Sequence, residues 1–401
     1  MKWTNRGHEL DALATRCLAV THIYIWEVGD RVPNRARTCI DFLRYLKIDR
    51  DFTICFVDEN SDKQANGFCG LEVISPDELF AQYNEKSVVV ATRDAVRTIL
   101  EERGLWYFNW IKKYNSRRNF IQHFLSVYML YKYDRLISYS MNYNVTTVCN
   151  LNCRGCLNFN HFIHSPKDET FDQFRRHMDI VFQKFDCTYE FEMTGGEPFL
   201  NKELPVILCW FASTYGERIF ERHVVTNGTI MPSDELLSAM RDGGYTVLID
   251  DYRHTVPLEE KQFPQIIKKF ENWGIAYSIN SHTQWFDLAV HTADFSHLDE
   301  AGLIAHRDGC NIYLSQLING RVYSCCYENY ARVAGVVDHA DSIDIATTPK
   351  VELLEYRLGY TKKGYLDMCT HCYGLGNDSI CQAAAMQIPK SRLLKEEGKT
   401  S

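Results

Sequence analysis

No stretch of this 401-residue chain stays apolar for long enough to cross a bilayer. The run Phe124–Tyr131 is too short, and charged residues flank it on both sides, so membrane insertion is not expected. A secretory signal peptide is also missing, and many of the fifteen cysteines sit at metal-ligand rather than disulfide-framework spacings. A reducing, cytoplasmic setting is the expectation. Basic patches are equally scarce: 44 Lys and Arg stand against 52 Asp and Glu, a formal charge of −8, with only short pairs such as Arg117-Arg118 and Lys362-Lys363. This argues against non-specific nucleic-acid binding. What remains is an ordinary globular composition, 45% hydrophobic and 24% charged, in a chain long enough for two or three domains.

Cys149–Cys156 reads CNLNCRGC, three cysteines at C-x3-C-x2-C spacing after a β-like run, Ile137–Val145. Three thiolates on one short loop can each hold one iron of a 4Fe-4S cubane, leaving the fourth iron open to another ligand. The triplet can also be a structural zinc site short of one ligand, or three unconnected thiols. Further on, Tyr189–Met193 (YEFEM) reads as a strand that ends in Thr194-Gly195-Gly196-Glu197-Pro198. Adjacent glycines at a strand end let the backbone approach a ligand where a Cβ would collide, and carbonyls there or the Glu197 carboxylate can accept from an ammonium group.

The triplet followed by this GGEP segment resembles the radical SAM superfamily. The resemblance implies a 4Fe-4S cluster on Cys149, Cys153 and Cys156 whose open iron chelates S-adenosylmethionine. It implies reductive cleavage to a 5′-deoxyadenosyl radical and hydrogen abstraction from a substrate. It places Gly195, Gly196, Glu197 and Pro198 at the SAM amino group, with Asn227 of the Thr226-Asn227-Gly228 turn beside them. One departure stands out: the residue before the third cysteine, often aromatic in the family and packed on the adenine, is Gly155.

The expected fold is α/β throughout. Residues 1–104 alternate strands (His22–Trp26, Phe52–Asp58, Leu71–Ile74, Ser87–Ala91) with helices (Arg37–Leu46, Pro76–Tyr83, Ala95–Arg103), the pattern of a parallel sheet. At Val28–Pro33 only one glycine of a dinucleotide fingerprint stands, and Pro33 removes a donor. Cys55–Leu79 resembles Rossmann-like modules at the front of enzymes from surface-polysaccharide gene clusters, which implies docking or partner binding. An aromatic helical connector, 105–136, carries Phe120, Phe124, Tyr128 and Tyr131 as packing surface between domains. Residues 137–305 read as a partial (β/α) barrel. In it Asp250 and Asp251 close the fourth strand, and Asp287 lies in a candidate lid, His282–His291, so these three are the candidate catalytic acids.

Residues 306–385 collect a second cysteine set: Cys310, Cys325 and the C-x2-C pair Cys369 and Cys372. Asn319-Gly320 is a type I′ turn signal within Leu314–Cys325, so a hairpin would bring Cys310 and Cys325 together. The pattern resembles the twitch form of the SPASM extension, which implies an auxiliary 4Fe-4S cluster; four-cysteine zinc uses the same spacing. Cys326 and Cys381 are spare candidates, and Cys17, Cys39, Cys55, Cys69, Cys187 and Cys209 read as core thiols. Residues 386–401 read as a tail. The resulting expectation is a radical SAM enzyme that oxidises or epimerises a sugar or nucleotide-linked sugar, with a small-molecule or glycan substrate and a flavodoxin- or ferredoxin-type reductant. The alternatives are radical modification of a ribosomal peptide and a non-enzymatic scaffold with zinc sites.

Overall fold

The computed structural model describes residues 1–29, 34–110, 118–281, 283–287, 293–310, 316–375 and 380–388. The chain divides into two compact units, Gly7–Tyr139 and Met1–Arg6 with Ser140–Ser401.

In the first unit five parallel strands, β1 (His22–Trp26), β2 (Thr53–Val57), β3 (Val73–Ile74), β4 (Ser87–Ala91) and β5 (Tyr107–Asn109), lie in the order β3-β2-β1-β4-β5. This is a doubly wound arrangement, and its central strands β1 (HIYIW) and β4 (SVVVA) are buried almost throughout because both faces are covered. Ser75 and Glu78 form a capping box that starts the helix Pro76–Gln82. At the end of β2, Asp58 accepts from the backbone nitrogens of Val28 at 3.0 Å and Asn60 at 2.9 Å, and Lys63 contacts it. That acid is therefore committed to its own turn. Positions 30–33 of the expected fingerprint turn lie outside the described residues.

The aromatic connector is part of this unit. Its first residues add β5 to the sheet, and a π-helical stretch, Phe120–Leu125, runs into the helix Ser126–Tyr133. Phe120, Phe124 and Tyr128 stack in sequence, with centroids 5.0 and 5.9 Å apart, and Phe124 also meets Trp106 and Phe108. The stripe builds the unit's own core because burying several large rings side by side removes more apolar area than a connector could.

In the second unit β6 (Leu136–Asn144), which enters it at Ser140, is followed by β7 (Phe185–Thr194), β8 (Ile219–Thr226), β9 (Thr246–Asp250) and β10 (Ala276–Asn280). Next come β11 (Gln284–Phe286), β12 (Gln316–Ile318), β13 (Arg321–Tyr323), β14 (Ser342–Asp344) and β15 (Cys381–Ala383). The main sheet runs β10-β9-β8-β7-β6-β12-β13-β14 and is open, a partial barrel rather than a closed one. Helices Phe171–Lys184 and Leu204–Tyr215 cover one face, where Phe191 meets Phe211 at 4.5 Å and Phe211 meets Phe174 at 5.4 Å. The Thr170–Gln173 capping box sets the first of these helices. Along β7 the alternate residues Glu190, Glu192 and Thr194 are half-buried, the period-two pattern of a strand with a different environment on each side.

Three further features depart from the sequence reading. Met1–Arg6 belong to the second unit, where Trp3 stacks on Tyr356 and donates to Glu355 at 2.7 Å. Cys209 is exposed and Cys69 half-buried, so only Cys17, Cys39, Cys55 and Cys187 are core thiols; the helix Leu204–Tyr215 turns Cys209 away from its buried stripe. Finally, Met386–Ile388 are not tail, as described below. Phe124→Ala is expected to destabilise the first unit by about 3–5 kcal/mol, measured as a lowered denaturant midpoint of the full chain; an unchanged midpoint would remove the stacked rings from its core.

Candidate functional site

Beyond β6 the backbone of residues 145–148 lies flat against the end of β7. Val145 N donates to Thr194 O at 2.9 Å, Gly196 N to Thr146 O at 2.8 Å and Glu197 N to Val148 O at 2.8 Å. A Cβ on Gly195 would overlap Thr146 O, and one on Gly196 would overlap Val148 O; Gly195 also has φ +149°. The glycine pair thus admits the backbone leading into the cysteine loop, a closer constraint than the ligand approach expected from sequence. Pro198 then opens a short 3-10 turn.

Glu197 is completely buried. Its Oε1 accepts from Thr226 Oγ1 at 2.8 Å and Phe199 N at 3.1 Å, and its Oε2 from Asn227 N at 2.8 Å. Burial pushes its pKa up to about 7 while the bonds from Asn227, Thr226 and Phe199 oppose the rise. The carboxylate is a clasp between the ends of β7 and β8, already engaged on both oxygens. Asn227 continues the link: its side-chain nitrogen meets Asn150 Oδ1 at 3.1 Å and lies 4.0 Å from Cys149 Sγ.

The three loop thiols influence one another electrostatically, and burial pushes Cys149 and Cys153 up to about 12 and raises Cys156. Nitrogen donors surround them. Leu151 N reaches Cys149 Sγ at 3.4 Å, Gln387 Nε2 reaches Cys153 Sγ at 3.1 Å, and the backbone of Asn158, Phe159 and Asn160 serves Cys156. Such N–H···S bonds favour thiolate over thiol and tune a bound cluster. Arg154 N donates to Met386 O at 2.7 Å, Ile388 N to Asn152 O at 2.9 Å, and Asn152 N to Gln387 Oε1 at 2.9 Å. Residues 386–388 therefore zip along the cysteine loop, a contact across more than 230 positions that no local pattern announces.

Gly155 has φ +68°, and a Cβ there would overlap Gln382 Nε2. The space an aromatic side chain would need before the third cysteine is taken by Gln382 of β15. Neither the amide nitrogen nor the oxygen of Gln382 has a partner, although both are buried. A paired donor and acceptor left open beside Cys156 suits a polar ligand over the loop.

The candidate acids separate. Asp251 is gripped by Arg253 through Nε at 2.8 Å and a terminal nitrogen at 2.7 Å, which lowers its pKa, so it is a paired anion and not a base. Asp250 accepts from Tyr252 OH at 3.0 Å. Asp287 follows β11, which pairs with β15, and its backbone nitrogen donates to Ile380 O at 2.7 Å. The expected lid is therefore partly sheet; its positions 282 and 288–291 lie outside the described residues.

Cys310, Cys325, Cys369 and Cys372 line one cavity with about 390 Å³ of empty space, its mouth included. Asn319 and Gly320 both have positive φ, as a type I′ turn needs, and close β12 onto β13. Leu375 N donates to Cys310 Sγ at 3.4 Å and Gly374 N to Cys372 Sγ at 3.2 Å. Cys326 and Cys381 do not line the cavity; Cys381 is exposed on β15. Arg307, missed by the sequence reading, does line it: it is 8% exposed, and its Nε has no partner. A buried guanidinium among four thiols suits a centre of net negative charge. Among the described residues no three of the seven sulfurs lie within 4.8 Å of one another. Thiolates about 2.3 Å from a shared zinc would stand less than about 4 Å apart, closer than any three of these sulfurs lie.

Residues 143–256 match the Radical SAM superfamily model. This segment is similar to a radical SAM domain. The GTP 3′,8-cyclase of Vibrio atlanticus (strain LGP32) is 33% identical over 132 residues, 32% of this chain and 36% of that protein, so the chain spans about a third of this curated relative's length. Among solved structures, Streptococcus suis SuiB bound to its precursor peptide SuiA aligns with a TM-score of 0.30 at 15% identity, covering 53% of this chain and 46% of that one. The anSMEcpe complex with AdoMet and Kp18Cys peptide gives 0.37 at 12%, covering 65% and 95%. BtrN with AdoMet and 2-DOIA gives 0.36 at 13%, covering 59% and 94%.

Two outcomes are expected. Gly196→Ala, whose Cβ overlaps Val148 O, destabilises the chain by more than about 2 kcal/mol and lowers iron retention, read by unfolding and iron assay. For Glu197, the raised folded pKa means that the native state holds a proton the unfolded chain has lost between about 4.5 and 7, so this group's contribution falls as pH rises through that window. The stability of wild type relative to Glu197→Gln should accordingly drop by roughly 2.4 kcal/mol from pH 5 to pH 7.5, measured by urea unfolding; a pH-independent difference contradicts the buried clasp.

Proposed function

We propose that this protein is a radical SAM enzyme that abstracts hydrogen from a sugar or sugar-like substrate and so oxidises or epimerises it. The observation that carries the reading is the loop of three N–H-bonded thiols held at the end of β6 by the Gly195–Glu197 clasp, within the residues that match the radical SAM model. Cys149, Cys153 and Cys156 would hold the 4Fe-4S cluster, and Cys310, Cys325, Cys369 and Cys372 an auxiliary one. Bound there, the first cluster and S-adenosylmethionine supply hydrogen-atom abstraction; the protein's own part is position and exclusion of water. Gln387 orients Cys153. Gln382 presents a donor and an acceptor beside the loop, and Gly195 O is capped by Asn158 at 2.7 Å. The sugar rests on the likeness of the first unit to polysaccharide-cluster modules. Peptide modification is the competing enzymatic reading, and binding to sugars against leader-type peptides separates the two.

In anaerobically reconstituted protein, about eight irons and eight sulfides per chain are expected, as two cubanes require; about two zincs would support the scaffold instead. Cys153→Ala should abolish 5′-deoxyadenosine formation while leaving far-UV circular dichroism unchanged. Cys369→Ala should halve the iron, keep uncoupled 5′-deoxyadenosine formation and stop product. Retained cleavage in the first variant contradicts the assignment of the loop.

A further inference from the structure

The ribbon of β11 and β15 is fastened to the cysteine loop at several points. Ala384 N donates to Thr283 O at 3.1 Å, Thr255 Oγ1 donates to Ala384 O at 2.7 Å, and Arg154 N and Asn152 N bond the residues just after β15. In the register of this ribbon Trp285 stands directly opposite Gln382. Cross-strand partners of an antiparallel pair project to the same side, with Cβ atoms about 5 Å apart. Both side chains of this rung meet the loop. The Gln382 amide fills the place a Cβ on Gly155 would take, and Trp285 packs against the apolar cluster of Cys153, Tyr252 and Ala384, as Cys156 does. The indole meets the Tyr252 ring edge to face at 5.3 Å.

Both polar atoms of Gln382 are buried without a partner. Leaving a donor and an acceptor unmade costs free energy twice, and an occupant that supplies both relieves it. An amide holds its N–H and C=O side by side in one plane, so its complement carries an acceptor and a donor in the same arrangement. Adenine does so through N7 and the N6 amino group, which a glutamine bonds at two points. The indole of the same rung adds a flat surface on which a base stacks. Because the ribbon is held to the loop by backbone bonds, these groups are in place before a ligand arrives.

Resting on the proposed radical SAM reading, we propose that Trp285 and Gln382 seat the adenine of S-adenosylmethionine, the indole by stacking and the amide by a two-point bond that selects adenine over other bases. A molecule held at the cysteine loop and extending past Gly155 meets this rung. Of its parts, adenine is the one with a flat face beside a donor–acceptor edge. Both residues lie outside residues 143–256, so base recognition is assigned to a ribbon beyond the matched segment.

Calorimetry of the cluster-loaded protein without reductant tests this, with S-adenosylhomocysteine and S-inosylhomocysteine as probes. The two share their amino acid and ribose and differ at the base, where hypoxanthine carries an acceptor in place of the N6 amino donor. The adenosyl compound should bind at least about tenfold more tightly, because hypoxanthine leaves the Gln382 carbonyl unpaired. Gln382→Leu should bring that ratio near one with iron content unchanged. Trp285→Leu should weaken both compounds about tenfold and keep the ratio, since stacking does not read the base edge. Equal affinities in wild type, a ratio kept by Gln382→Leu, or full affinity in Trp285→Leu each overturns the proposal. If Gln382→Leu does not load iron, a wild-type ratio near one still overturns it. Loaded wild type that binds neither compound overturns the radical SAM reading as well, whereas a ratio kept by Gln382→Leu overturns this inference alone.

Discussion

The site depends on one buried carboxylate. Glu197, with no exposed surface, ties the end of β7 to Thr226 and Asn227 at the end of β8, and its own backbone nitrogen holds Val148 one residue before Cys149. Three chain segments meet at one residue, and each is positioned through a hydrogen bond in a region from which water is excluded. Hydrogen bonds in such a place are strong, and an unfilled acceptor is costly, so the arrangement tolerates little movement. The flanking glycines are the steric half of the same constraint: only with no Cβ at 195 and 196 can the backbone of residues 146–148 come near enough for those bonds to form.

Much of this was legible from sequence, but not always for the right reason. The C-x3-C-x2-C and C-x2-C spacings are local signals whose chemistry leaves few readings, and Cys310, Cys325, Cys369 and Cys372 line one cavity. GGEP was legible as a motif. Its glycines, however, face a neighbouring backbone, and its glutamate is engaged by protein donors, which a linear reading cannot distinguish from ligand contact. Most strands of both sheets were found to within a few residues because β-branched runs and alternation report burial directly, but β5, read as part of a helical connector, and β14 were missed. The aromatic stretch around Phe124 was misread because helical spacing says that a face is buried, not which core buries it.

What lay beyond sequence reading shares one property, large separation along the chain. Gln382 fills the space over Gly155, Gln387 donates to Cys153, and residues 386–388 pair with the cysteine loop, all from more than 220 positions away. No propensity or spacing encodes such contacts; they follow from where β15 is placed by its pairing with β11. Gly155 is instructive here. Read alone it is a missing aromatic residue, but in the fold it is the one residue type that lets Gln382 pack there.

The second thiol set raises a question of charge balance that the geometry answers. Arg307 is buried beside four cysteines, and its hydrogen bond to Ser324 O, at 3.4 Å, is long and neutral. The nearby Glu328 is also buried, and burial pushes its pKa up to about 8, so at pH 7 it is mostly protonated and compensates little. A guanidinium so placed costs several kcal/mol unless negative charge accompanies it. Burial raises the pKa of Cys325, Cys369 and Cys372, so the thiols alone do not supply that charge. Thiolates bound to metal do, since coordination removes their protons and leaves the centre net negative. On the proposed assignment of an auxiliary cluster to these thiols, folding around Arg307 and loading of the centre would be coupled, each lowering the cost of the other.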